Sequence, residues 1–336
     1  MNGKPLYKFR QISFIAIKKT ICFLIVFFTV FLISIHPVNA QVPELLKDIN
    51  GIITNNSQTS SGYNFKGYNG FVYFSADNGI NGFELWKTDG TEAGTSLVKD
   101  INPGNLSSSP VNFIEMGGIF YFTATNNTSG NELWRTDGTE AGTIIVKDIY
   151  AGVNSSTPQN LVAIDGTLYF TAVTSANGRE LWKSDGTEAG TILVKDIRTG
   201  TSSSTPSVFT QAGSLFYFTA DDGTTGRELW VSDGTAAGTV LVKDIITGAP
   251  SSSPDYLTAV GSTLFFNVDD GINGFELWKS DGTAAGTVLV KDINPGSSWS
   301  YPMYLTNFNG ILVFRATTDA EGDELWRSDG TEAGTV

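Results

Sequence analysis

The sequence predicts an all-β chain: a β-propeller of about six four-stranded antiparallel blades, its ring closed by an N-terminal strand. Three observations predict it. Trp86, Trp134, Trp182, Trp230, Trp278 and Trp326 recur at one constant interval, and Phe74, Phe122, Phe170, Phe218, Phe266 and Phe314 keep the same interval. Such a period marks a repeated supersecondary unit, and the step from 86 to 134 falls within the about 40–50 residues of a propeller blade. Each unit splits into four short runs rich in β-branched and aromatic residues, separated by breaks that carry Gly with Asp, Asn or Ser. The piece "ELLKDI" at 44–49 matches the fourth run "VLVKDI" at 288–293, with no first three runs before it, while the last unit stops at "DGTEAGTV". The N-terminal piece therefore offers what the last blade lacks. A β-solenoid is the competing architecture, and a fragment of a longer ring is a competing account of the ends.

One unit shows the parts in order. At 206–245 the runs are "SVFTQAG", "SLFYFTA", "RELWVS" and "TVLVKDI". Connections this short favour antiparallel neighbours. The longest gap falls between units, as in "ITGAPSSSP", and suits a crossover from an outer strand to the inner strand of the next blade. Asp-Gly in "SDGT" is a turn signal, because glycine accepts positive φ and the carboxylate accepts backbone N–H groups. The tryptophans, each burying ~150–250 Å², read as packing between blades. Glu84 and its equivalents, with Lys99 and its equivalents, read as lysine–carboxylate pairs within or between blades.

The first 40 residues differ from the rest. Lys4, Lys8, Arg10, Lys18 and Lys19 precede an apolar run at 21–35 and then "HPVNA". Those three parts describe a secretory signal peptide over 1–40, leaving 41–336 as the propeller. The apolar run at 21–35 is shorter than a membrane span requires. Cys22 and His36 are the chain's one cysteine and one histidine, so residues 41–336 have neither. That excludes disulfides, thiolate nucleophiles, Ser-His-Asp triads and zinc or haem sites built on these residues. Without the five basic leader residues, 16 Lys and Arg face 34 Asp and Glu. A chain this acidic argues against nucleic acid or an anionic membrane surface as partner.

The recurring ELWxxDGTxxGT signature, as in "ELWKSDGTEAGT" at 180–191, resembles the ELWxxDGT repeat family of hyalin-like secreted bacterial proteins. The resemblance covers 44–336. It implies a secreted or cell-surface location and transfers no activity and no catalytic residues. The turn also resembles the Asp-box hairpins of sialidase-type propellers, which are structural.

A site is normally built once, from unlike residues, so a motif present in every unit reads as architecture. Function is expected where units differ: in the loops between second and third runs, and in the links between units. Both sets fall on one face of a four-stranded blade. Trp299 and Tyr301, in the last link, are the candidate contacts for an extracellular glycan or protein. Asp221, Asp222, Asp269 and Asp270 lie in these loops with Asp77 and Asp319. Clustered oxygens suit calcium, but none of the loops has the spacing of an EF-hand, and turn formation is the competing role. The expected function is a non-catalytic binding or adhesion scaffold. The alternatives are a propeller enzyme acting on extracellular glycans through carboxylates, Tyr and Arg, and a structural module of a larger surface protein.

Overall fold

The computed structural model describes residues 45–49 and 63–336, so the leader reading over 1–40 lies outside the described residues. The chain forms six antiparallel sheets, each from consecutive strands in sequence order. Five are four-stranded, spanning 63–99, 111–147, 159–195, 207–243 and 255–291, and the sixth, 303–328, has three strands. These are blades one to six of a propeller-like repeat. No ladder joins the first and last sheets among the described residues.

Alternation along each strand builds the core between blades rather than within one. In blade four, Phe216, Phe218 and Trp230 point back toward blade three and pack on its Tyr169, Leu181 and Val194. The opposite parity, Tyr217, Leu229 and Val242, points forward onto Leu264, Phe266 and Trp278 of blade five. A strand whose two faces are both covered is apolar throughout, which is why "SLFYFTA" and "RELWVS" show little alternation. The first five tryptophans are 5–8% exposed at these interfaces, as packing between blades requires.

The first strands of successive blades lie beside one another. Each has an irregular register at its second residue, where Asn64, Asn112, Asn160, Val208, Tyr256 and Tyr304 take φ between 53° and 61°. An extra residue of this kind bends a strand and breaks its pairing. The Asn112 and Asn160 amides turn this bend to use, donating to the carbonyls of Pro158 and Pro206 in the following blade.

The "SDGTAAGT" hairpin closes on its own hydroxyls. Asp233 Oδ1 accepts from both the N–H and the Oγ1 of Thr235, at 2.8 and 2.7 Å. Those Thr235 bonds hold the Asp233 carboxyl below its ordinary range. Thr235 Oγ1 accepts from Gly238 N, and Thr239 Oγ1 donates to the Thr235 carbonyl. With that proton spent, Ser232 Oγ is the donor in its 2.7 Å contact with Thr239 Oγ1. The motif is a self-sufficient turn, and its φ of 84° at Gly234 is a conformation that side chains disfavour.

The lysines of the fourth strands do not pair with carboxylates. Lys99, Lys147, Lys195, Lys243 and Lys291 each donate to a threonine carbonyl in the hairpin of the next blade, Thr143, Thr191, Thr239, Thr287 and Thr335, at 2.6–2.9 Å. Among the described residues the ion pairs are Arg198–Asp221 and Arg315–Asp323. The expected pairing fails because the ammonium sits over a turn whose exposed dipoles are carbonyls, while the glutamates are buried at the other end of the sheet. Lys47 makes the same bond to Thr95 at 2.6 Å, and Ile49 packs on Phe74 and Trp86. Residues 45–49 thus make toward blade one the contacts that a fourth strand makes toward the blade after it. At the far end, Val336 exchanges two backbone hydrogen bonds with Arg327, and Leu325 is 78% exposed where its equivalents are fully buried.

Because the lysine clasp ends on a neutral acceptor, Lys195→Met is expected to cost about 1–2 kcal/mol. The loss should be nearly equal at low and high salt in denaturant titrations. A loss that disappears in high salt would restore the ion-pair reading.

Candidate functional site

The variable face is assembled by a buried carboxylate. Glu180, at the root of the third strand, is fully buried. Its Oε1 accepts from Ser204 N at 2.8 Å, and its Oε2 accepts from Ile197 N at 3.0 Å and from Ser204 Oγ. Ser204 lies in the link to blade four, and its carbonyl accepts from Asp221 N of that blade at 3.0 Å. One serine is thereby held by the blade behind and the blade ahead. The arrangement recurs as Glu84–Ser108, Glu132–Ser156, Glu228–Ser252 and Glu276–Ser300. Burial pushes Glu84, Glu180, Glu228 and Glu276 up to about 7, against the lowering effect of the serine and backbone donors. Desolvation wins because three donors replace only part of the hydration that a carboxylate loses.

On this frame the loops differ. The residue preceding the latch glutamate differs from blade to blade, and so do the partners that its side chain takes. Arg179 donates to the Thr157 carbonyl and to Oγ1 of Thr157 and Thr171. Arg227 reaches Thr205 and Thr219 in the same manner. Blade five uses aromatics. Phe275 stacks on Tyr301 at 5.5 Å with 15° between planes, and Trp299 meets both edge-on at 5.6 and 5.1 Å. The indole crosses directly over Gly274, where any side chain would collide with its ring. Trp299 remains 47% exposed and Ile272, in the adjoining loop, 74%. The link that carries them is held from blade six: Asp319 N donates to Asn294 Oδ1 at 3.1 Å, and Asn294 Nδ2 returns a bond to Asp319 Oδ1 at 3.2 Å.

Trp299 and Tyr301 are therefore brought together, and Phe275 completes them. The sequence reading missed Phe275, although the loop string "DDGINGF" ends on it. The acidic candidates are not brought together. Asp222 Oδ1 accepts from the N–H and Oγ1 groups of Thr224 and Thr225. Asp221 spends one oxygen on Gly223 N and the other on Arg198. Asp269 binds Gly271 N, and Asp270 binds Ile272 N, Asn273 N and Asn273 Nδ2. These carboxylates shape their own turns, and no group of three or more acidic side chains that could hold a metal ion occurs among the described residues.

No protein-family model matches this chain, and no curated protein matches it. Solved structures do. The computationally designed Ika8 protein is 16% identical with a TM-score of 0.44, over 81% of this chain and 72% of its own. Puromycin hydrolase is 13% identical, TM-score 0.44, over 83% and 46%. A structure from work on two prolyl endopeptidases is 14% identical, TM-score 0.46, over 82% and 41%. The chain spans less than half of either hydrolase, and at these scores the likeness carries no argument about activity. Among the described residues no helix is long and apolar enough to cross a membrane.

The latch has a pH signature. Unfolded glutamates titrate near 4.5 and four of the folded ones near 7. Between those values the folded chain keeps protons that the unfolded chain releases. This contribution to stability is thus full below about 4.5 and lost as pH rises through 7. The Tm is expected to be several degrees higher at pH 5 than at pH 8, and Glu→Gln at positions 84, 180, 228 and 276 together should flatten that slope. A wild-type Tm that rises from pH 5 to pH 8 contradicts the account.

Proposed function

We propose that this protein is a secreted or cell-surface binding scaffold, non-catalytic, whose variable loop face engages an extracellular glycan or protein. The observation that carries the reading is the Phe275–Trp299–Tyr301 cluster. It is a half-exposed aromatic surface, locked by stacking and by close passage over Gly274, at a position where blades two to four carry Asn131, Arg179 and Arg227. Rigid aromatics at the rim of a fixed scaffold supply contact area at small entropic cost. The extracellular setting rests on the leader-like pattern over 1–40 and on the resemblance to ELWxxDGT repeat proteins. Binding of the purified chain to a glycan array and to cell-surface extracts should fall by about tenfold or more in Trp299→Ala and Tyr301→Ala, with Tm changed little. Undiminished binding in both variants removes the cluster from the reading.

The same reading includes a closed six-bladed ring, with residues 45–49 as the fourth strand of blade six. Lys47 and Ile49 already make the forward contacts of such a strand, and Leu325 is the side chain that it would cover. Leu325→Ala should then cost about 2–5 kcal/mol, as a buried leucine does. A change below about 0.5 kcal/mol, typical of an exposed position, contradicts closure.

A further inference from the structure

The link from blade five to blade six gives up a structural bond that the other links keep. Ser107, Ser155, Ser203 and Ser251 occupy one position in the first four links. Each of their hydroxyls accepts from the backbone N–H directly before the latch glutamate, that of Phe83, Asn131, Arg179 or Arg227, at 2.8–2.9 Å. In the last link this position is Trp299. An indole has no acceptor to offer, so the bond gives way to a large side chain that stays 47% exposed. Core packing does not account for that exchange, and neither does the path of the link, which four serines serve.

The surroundings of Trp299 carry one sign of charge. From 244 to 323 the chain has ten acidic residues and three basic ones, Lys279, Lys291 and Arg315. All three basic residues are engaged. Lys279 and Lys291 donate to the carbonyls of Gly330 and Thr335 at the hairpin end, and Arg315 pairs with Asp323. On the loop face, Asp269 is the direct cross-strand partner of Phe275, a pairing that sets Cβ atoms about 5 Å apart. Asp319 accepts from Ser298 Oγ at 3.3 Å, next to Trp299. Neither aspartate has a basic partner among the described residues. Blade four shows what is missing. There Asp221, the equivalent of Asp269, pairs with Arg198 at 3.1 Å, and Arg198 lies against Gly223. Against Gly271, the same position in blade five, lies Ile246 instead. The blade with the exposed aromatics is thus the one that lacks this cation.

We infer that the Phe275–Trp299–Tyr301 cluster receives an arginine side chain from a basic segment of a partner protein. A guanidinium is flat and weakly hydrated and stacks on aromatic faces, so the exposed indole is its platform. Asp269 and Asp319 supply the counter-charge, as Asp221 does for Arg198 within blade four. A neutral glycan would leave both carboxylates without a cation, and an acidic glycan would be repelled by them. The inference rests on the binding role proposed above and narrows its ligand to a basic protein.

The indole N–H resonances of the purified, nitrogen-15-labelled chain provide the test, with Trp299 identified by its loss in Trp299→Phe. The probes are acetyl-Gly-Arg-Gly-Arg-Gly-amide and the same peptide with citrulline in place of arginine, titrated at physiological salt. The arginine peptide is expected to shift the Trp299 resonance saturably. Citrulline keeps the shape and loses the charge, and should leave that resonance nearly unmoved at the same concentration. The double variant Asp269→Asn, Asp319→Asn keeps the acceptors for Gly271 N and Asn294 Nδ2 and removes both charges. Its affinity for the arginine peptide should fall on the order of tenfold, with Tm changed little. An unmoved Trp299 resonance, an equal response to the two peptides, or full affinity in the folded double variant overturns the inference. Loss of glycan or cell-surface binding in Trp299→Ala would, in that event, still leave the broader binding role standing.

Discussion

The buried bond between a strand glutamate and a serine of the following link is the constraint on which the rest of the molecule depends. A four-stranded blade is a marginal object by itself, with both faces apolar and one strand at each edge. Stacking blades buries the faces, but it does not fix where the link between them runs. The Glu180 carboxylate does so, by holding Ser204 through both its N–H and its hydroxyl while the serine's carbonyl is taken by the next blade. A carboxylate without these donors would not tolerate full burial. The donors in turn have no other buried partner of equal strength. Each needs the other, so blade spacing and link path are set together. The lysine clasp does the complementary work at the opposite end, tying an ammonium to carbonyls of the neighbouring hairpin.

That arrangement explains how the two faces divide. The hairpin end is closed on itself by Asp233, Thr235 and Thr239, with little freedom for substitution. The latch end fixes only one serine and leaves the residues on both sides free. Asparagine, arginine and phenylalanine all fit directly before the same glutamate. Variation there changes the surface that the molecule presents without moving its blades. The aromatic cluster around Trp299 is one outcome of that freedom.

The sequence displays most of the architecture because the period is unbroken. Strand order, hairpin chemistry and the interfacial tryptophans are all local, and local chemistry is legible when it recurs at a constant spacing. The latch was not read, although Ser108, Ser156, Ser204, Ser252 and Ser300 keep the period. They lie in Ser-rich links that look like any solvated loop, and the bond depends on the path of the crossover. The glutamates and lysines were paired by charge, when burial at one end of the sheet and carbonyls at the other separate them. Phe275 was visible in its loop and became a partner of Trp299 only once the link folded over Gly274.

The central claim is that these glutamates hold the links. Native-state hydrogen exchange at the amides of Ser108, Ser156, Ser204, Ser252 and Ser300 tests it most directly, read residue by residue at neutral pH. All five are expected to be protected to the level of the neighbouring strand amides, despite lying in loops rich in Ser and Gly. In Glu180→Ala, protection should be lost first at Ser204, with the other four retained. Exchange of all five at the rate of free loops in the wild-type chain would contradict the account.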